Sequence, residues 1–409
     1  MKQFKWRYLL AAGVVVIGCV ALNKAYSEIK FQSGPLGKLK REAGDVRYAQ
    51  LTPTGEQNHG GLYDPSVAYA PDGQTGWLAY SAIAGDFKPI GPYVHTRLAQ
   101  STNGGQTWEF VKTLNASSDA ELTMPGGDHL AGAWRYEVST LVCDPADPDA
   151  ERRWKLLVHR YFWAPKKDRM VQYGWIALRT APDPAADWSD EVPLFGAGQN
   201  PLAPYHETRI DLNALDPSLA SVVAYSEPGA LAHDSKLYLS MTALAPRLGL
   251  KGISVGHSIV LLESSDHGGA WRFVRKLLDN DTAAQFGCEL FDGSSLAEED
   301  GRFFLLVSPG RSGATHDGTV AFEFASLAEG RLRLDAAGRP EIVAYFAPQP
   351  SIYSGPGAGQ SAYDQHNTHG GVLMPQFNLK AYPEVFQIYQ TGRRITPARA
   401  RAADDPPAK

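Results

Sequence analysis

The sequence predicts an all-β fold, a five-bladed β-propeller, on three observations. A unit of short apolar strand, Gly/Asp turn and aromatic-rich strand recurs five times along the 409 residues. The composition suits strands and tight turns, with 40 Gly, 28 Pro, nine Trp and 18 Tyr. No long stretch carries the apolar period of an amphipathic helix. Hydrophobic residues at 44% and charged residues at 20% exclude a disordered chain, a collagen-like fibre and a multi-span membrane protein. A net charge of −5 without a basic block argues against nucleic acid as a partner.

The elements follow in chain order. Lys2, Lys5 and Arg7 precede the apolar run Tyr8 to Leu22, the layout of a secretory signal. That run is shorter than the roughly 20 residues of a membrane-spanning helix. Within it, Val16-Ile17-Gly18-Cys19 resembles the bacterial lipobox. The resemblance implies lipidation of Cys19, and an exported, periplasmic or cell-surface protein held at the membrane. The alternative is a plain signal or anchor in which Cys19 is one more small residue. Residues 1–22 are thus a signal or anchor, 23–44 a polar tether, 45–395 the propeller and 396–409 a disordered tail. Downstream of Cys19 only Cys143 and Cys288 remain, which without a CxxC or Cys/His zinc spacing read as two buried thiols.

The repeats begin at Asp64 (DPSVAYAPDGQTGWLAYSA), Glu137, Glu227 (EPGALAHDSKLYLSMTA), Asp292 (DGSSLAEEDGRFFLLVSPG) and His369, at intervals of 73, 90, 65 and 77 residues. This period, with four strands per unit, is that of propeller blades. The last unit is short, and the segment Asp45 to Leu51 is expected to complete it, closing the ring and removing its open edges. Six blades remain the alternative, should the 90-residue interval hide a degenerate one.

Ser101 to Trp108 (STNGGQTW) and Ser264 to Trp271 (SSDHGGAW) match the pattern S-x-D-x-G-x-T-W, with Asn103 in place of Asp and Ala270 in place of Thr. Both resemble Asp-boxes, which implies a hairpin turn in which the Asp side chain ties down loop amides while the Trp packs between blades. On these motifs the chain resembles the Asp-box (BNR-repeat) sialidase-like β-propellers across about residues 45 to 394. Its five-blade count is also similar to that of the glycosidase clan of arabinanases, β-xylosidases, invertases and levansucrases.

The first strand of each blade lines a propeller's central tunnel, so its leading residues converge at one mouth. Four of the five starts are carboxylates: Asp64, Glu137, Glu227 and Asp292. Glycosidic cleavage needs such convergence, one acid protonating the leaving oxygen and another activating water or attacking the sugar. The clan resemblance implies base or nucleophile for Asp64, an acidic modulator for Glu137 and general acid for Glu227. The clan normally carries Asp at the modulator's place, so Glu137 departs from the pattern. Asp292, followed by Gly293, reads as a turn residue.

The sialidase resemblance implies a different set: Glu227 with Tyr363 as nucleophile, and Arg135, Arg209 and Arg311 as a carboxylate clamp. The arginine expected before the first blade is missing from NHGGLYDP, which disfavours that option. His59, His366 and His369, in two His-containing segments of adjacent blades, are expected near the tunnel as substrate contacts. Some clan members hold a cation on the axis beside a histidine, so a structural cation is conceivable there, with no other cofactor expected. Trp134, close to Glu137, is expected to stack on a sugar face. The expected protein is a monomeric glycoside hydrolase acting on an extracellular or cell-wall carbohydrate. A non-catalytic glycan- or protein-binding propeller is the rival, since fold alone does not establish chemistry.

Overall fold

The computed structural model describes residues 25–57, 60–84, 93–124, 126–165, 168–197, 208–249, 252–311, 315–349, 354–357, 359–367 and 370–396. Cys19, His59 and His369 lie outside them. Among the described residues no helix is long and apolar enough to cross a membrane.

Five four-stranded antiparallel blades are formed. Blade 1 is built from Gly61–Tyr69, Gly76–Ala84, Tyr93–Ser101 and Glu109–Asn115, and blade 2 from His129–Cys143, Trp154–Ala164, Asp168–Ala181 and Val192–Gly196. Blade 3 comprises Ala224–His233, Lys236–Gly249, Gly252–Ser264 and Arg272–Asp279. Blade 4 comprises Leu290–Glu299, Arg302–Arg311, Thr319–Ser326 and Ile342–Phe346. Blade 5 joins Ala362–Asp364, Gly371–Asn378 and Phe386–Gln390 to the N-terminal strand Ala49–Leu51. Each inner strand packs against that of the next blade, and the fifth returns to the first. The chain closes its ring as expected, with Ala49 opposite Gln390 and Leu51 opposite Ile388.

Two expectations need correction. The fifth blade does not begin at His369: its inner strand is Ala362–Asp364, and Gly371–Asn378 is its second strand. A three-residue strand is too short to show an alternation, while the buried run Val372 to Gln376 imitates the inner strands elsewhere. The 90-residue interval before Glu227 holds two 3-10 turns (Leu212–Ala214, Pro217–Leu219) and a short parallel pairing on the edge of blade 2. No sixth blade occurs among the described residues.

The second correction concerns the tether. Residues 25–33 form helix α1 and Pro35–Ala43 helix α2. Phe31 and Leu36 are fully buried among Phe286, Phe291 and Phe322 of blades 3 and 4. Ser27 bonds Glu289, Lys40 lies 2.6 Å from Asp317, and Arg311 pairs with both Glu28 and Asp317. Proline at the first position of α2 and Gly44 (φ 62°) at its end bound the helix. With only two buried apolar side chains on either side of Gly34-Pro35, no helical period is visible in the sequence.

The hydrophobic clusters sit between blades rather than within one centre. Trp77, Leu98, Leu141 and Trp154 join blades 1 and 2, while Leu178, Phe195, Leu239 and Trp271 join blades 2 and 3. Burying one such side chain contributes about 1.5–3 kcal/mol. Both Trp-bearing turns link third and fourth strands. Asn103 and Asp266 accept hydrogen bonds from the amides of Thr107 and Ala270, while Trp108 and Trp271 are buried.

Candidate active site

Each inner strand of blades 1 to 4 is interrupted by a bulge, near its leading end in blades 1, 3 and 4 and mid-strand in blade 2, seen as a register shift at Tyr63/Ser66, Glu137/Ser139, Ser226/Gly229 and Asp292/Ser295. The left-handed residue in each bulge is Asp64 (φ 49°), Val138 (φ 53°), Glu227 (φ 56°) or Gly293 (φ 58°). Non-glycine residues adopt this conformation at a cost of about 1 kcal/mol or more, and a bulge re-aims its side chain. The four carboxylates therefore fall into two classes. Asp64 and Glu227 occupy the bulge itself, whereas Glu137 and Asp292 stand one residue earlier, inside the ladder.

Asp64 is 1% exposed. Its Oδ1 accepts the Gln360 backbone N–H (2.8 Å), and its Oδ2 the Ser81 hydroxyl (3.2 Å). Ser81 Oγ in turn accepts the Val138 N–H at 3.0 Å, so its own proton is directed at Asp64. Both carboxylate oxygens thus act as acceptors. Gly359 presses on the group so closely that a Cβ there would lie 1.9 Å from Asp64 Oδ1.

Glu137 is also buried (8% exposed). Tyr63 donates to Oε1 at 2.7 Å, Tyr161 donates to Oε2, and Arg135 Nη2 lies 3.8 Å from Oε2. Burial and the Glu137 charge push the Tyr63 phenol far up, so it remains a donor. The backbone of Val138, beside Glu137, reaches Asp64 through Ser81, which unites blades 1 and 2 at the mouth. Asp64 and Glu137 are thereby linked at the mouth, and Arg135, expected in an arginine clamp, lies beside Glu137 instead.

Glu227 is partly accessible. Its Oε2 accepts the Gly293 N–H and lies within hydrogen-bonding distance of the Thr242 hydroxyl, both at 2.8 Å. Burial in the tunnel, then the negative charge of Asp292, push its carboxyl well above the ordinary range. Asp292 shows the reverse. Burial pushes it up, but the polar groups around it, Glu227 and the His257 and His316 imidazoles, outweigh that and hold it well below. Gln360 connects the two halves of the mouth, its backbone on Asp64 and its Nε2 on the Pro228 carbonyl (3.1 Å). Sequence reading missed Asp292, His257, His316, Thr242 and Gln360. Asp292 carried a signal in its place at a blade start, but nothing in the chain ties the other four to it.

Several expected contacts are not formed. Trp134 is only 8% exposed and packs on Phe162 and Trp175 beneath the Arg160 guanidinium, so it is core and not a sugar platform. Tyr363 donates to Glu299, the last residue of the blade 4 inner strand, rather than facing Glu227. His366 stacks on Tyr69 at 4.2 Å and lies beside Gly73, at the opposite end of the inner strands from Asp64. Arg311 holds α1, and Arg209 is exposed on the outer edge of blade 2. The three-arginine clamp is therefore not assembled. The reasons differ: Trp134 is on the inner strand but buried in the core, Tyr363 and His366 are at the far end of the ring, Arg311 is tied to the N-terminal helix, and Arg209 is on an outer edge.

Of the histidines expected beside an axial cation, His366 lies at the far end and the other two fall outside the described residues. Elsewhere Asp144, Asp147 and His267 converge, but Lys155 Nζ stands 2.8 Å from Asp147 and 3.4 Å from Asp144. The cluster already has its cation. A groove of about 660 Å³ lies away from the mouth, between α2, Ile342 to Tyr345 and Arg393 to Thr396.

No protein-family model matches the chain, and no curated protein does. Among solved structures it is similar to the catalytic domain of the Coprinopsis cinerea GH62 α-L-arabinofuranosidase, with 12% identity, TM-score 0.48, and coverage of 84% of this chain and 97% of that one. It is similar to a Bombyx mori GH32 β-fructofuranosidase, with 13% identity, TM-score 0.45, and coverage of 93% and 66%. A thermostable family-43 glycoside hydrolase gives 12% identity, TM-score 0.46, and coverage of 83% and 91%.

Proposed function

We propose that this protein is an exported, membrane-tethered glycoside hydrolase acting on an extracellular or cell-wall carbohydrate. One observation carries the reading: two carboxyls at the mouth stand in opposite surroundings. Burial and the Asp292 charge push Glu227 up, toward its neutral form, while Asp64 accepts a hydrogen bond on each of its oxygens. Two carboxyls in such divided surroundings are what acid/base cleavage of a glycosidic bond requires. Glu227 serves as general acid toward the leaving oxygen, and Asp64 as base or nucleophile. Glu137, pinned by Tyr63 and Tyr161, steadies the blade 2 backbone that orients Ser81 against Asp64. Asp64 lies buried with Gly359 and Gln360 packed against its carboxylate. That same cover favours the second reading, a propeller that binds carbohydrate or protein without cleaving it.

Glycosides with good and poor leaving groups separate the two. Glu227→Gln should slow substrates with poor leaving groups by about 10²–10⁴-fold, and those with activated leaving groups far less. Asp64→Asn should abolish turnover of both. Undiminished hydrolysis by a folded Asp64→Asn variant would sink the assignment, and binding without cleavage by the parent would favour the second reading.

A further inference from the structure

We propose that Asp292 is the positioning residue that keeps a proton on Glu227, the two carboxyls sharing one proton across the Thr242 hydroxyl. This rests on reading Glu227 as the acid of the site. Thr242 Oγ1 stands 2.8 Å from Glu227 Oε2 and 2.9 Å from Asp292 Oδ1. A hydroxyl has one proton to donate. It can satisfy two carboxyl oxygens only if it donates to one and accepts a proton-bearing oxygen from the other. One of the two acids must therefore be protonated.

The surroundings decide which. His257 Nδ1 lies 3.6 Å from Asp292 Oδ2, and His316 Nε2 lies 3.9 Å from the same oxygen. The Gly359 N–H points at His316 Nδ1 (3.4 Å), which assigns the ring proton to Nε2 and aims it at Asp292. Asp292 thus faces two imidazoles on one side and the Thr242 proton on the other. Among the described residues no imidazole pairs with Glu227, whose Oε2 also accepts the Gly293 amide. The remaining charged groups of the mouth are engaged elsewhere: Asp64 with Ser81 and Gln360, Arg135 with Glu137. Negative charge settles on Asp292 and the proton on Glu227. The burial of Glu227 and the Asp292 charge act in the same direction. When Glu227 passes its proton to a leaving-group oxygen, two carboxylates are left facing one hydroxyl proton. The pair then regains a proton from solvent.

The test needs no substrate. Infrared titration of the whole protein follows the carbonyl stretch of the protonated acid, assigned by its loss in Glu227→Gln. In the parent, the midpoint should lie well above the ordinary glutamate value of 4.5. Asp292→Asn should lower it by about one pH unit or more, a tenfold loss of proton affinity. Asp292→Glu should restore it in part. Thr242→Val, which keeps the side-chain shape and removes the bridge, should also lower it, and decides the matter if Asp292→Asn fails to fold. A parent midpoint near 4.5, or an unmoved midpoint in the folded variants, overturns the proposal. Lowered midpoints in a protein that cleaves no glycoside would leave the shared proton standing and remove the hydrolase reading instead.

Discussion

Lys155 is a fully enclosed charge, 0% exposed on the second strand of blade 2. Its ammonium donates to Asp147 Oδ2 at 2.8 Å and to the Arg152 carbonyl at 2.7 Å, and lies 3.4 Å from Asp144 Oδ2. His267, from the Trp271 turn of blade 3, meets Asp144 at 2.9 Å and ties the two blades together there. Lys155→Met keeps the side-chain volume but leaves two carboxylates with side chains about 2% exposed and no neighbouring ammonium. Removing one partner of a buried ion pair costs about 3–5 kcal/mol. Burial alone pushes Asp147 up, but the Lys155 hydrogen bond and the Asp149 amide hold it below its ordinary value of 3.8. A depressed acid contributes stability that is present above its unfolded pKa and lost as pH falls through its folded one. Without Lys155 the Asp147 carboxyl takes up a proton at higher pH, so the deficit of the variant should shrink as the solution is acidified. Urea unfolding of both proteins at about pH 7 and about pH 4.5 measures this. A loss below about 1 kcal/mol at neutral pH, or a deficit that grows in acid, would refute the reasoning. Replacing Asp144 and Asp147 by Asn in the same variant should recover most of the loss.

Two further outcomes follow from the N-terminal segment. Phe31→Ala removes a fully buried ring from between blades 3 and 4 and should cost about 3–5 kcal/mol, read as lost amide-exchange protection in α1 and α2 before the blades open. Cys19→Ala should abolish lipid labelling and release the protein from the membrane fraction; a variant that fractionates as the parent does would return Cys19 to the role of an ordinary residue.

The site was legible in part, and the division has a structural cause. Asp64 and Glu227 could be read from the chain because they stand at repeat starts, which recurring turn residues and strand patterns mark locally. His257, His316 and Thr242 lie on second and third strands or their connections, where nothing local distinguishes them from residues that bond water. Trp134 and Tyr363 misled for the complementary reason. Both neighbour site residues in sequence, but strand alternation and strand end, rather than proximity along the chain, decide what a side chain meets.

By itself the sequence determined the all-β architecture, the five repeats, the ring closed by its own N-terminal strand, and the convergence of acids at one mouth. These follow from turn residues and strand alternation, whose physical range is a few residues, repeated often enough to fix the whole. Tertiary structure alone decided that α1 and α2 are part of the body, because Phe31 and Leu36 gain burial only against blades 3 and 4. It alone placed the inner strand of blade 5 upstream of His369, since a three-residue strand is held by its neighbours and not by its own composition. It also decided that the Glu227 carboxyl is pushed up and that of Asp292 held down. That depends on desolvation and on charges from residues as far along the chain as Glu227 and His316, which meet only when the ring closes.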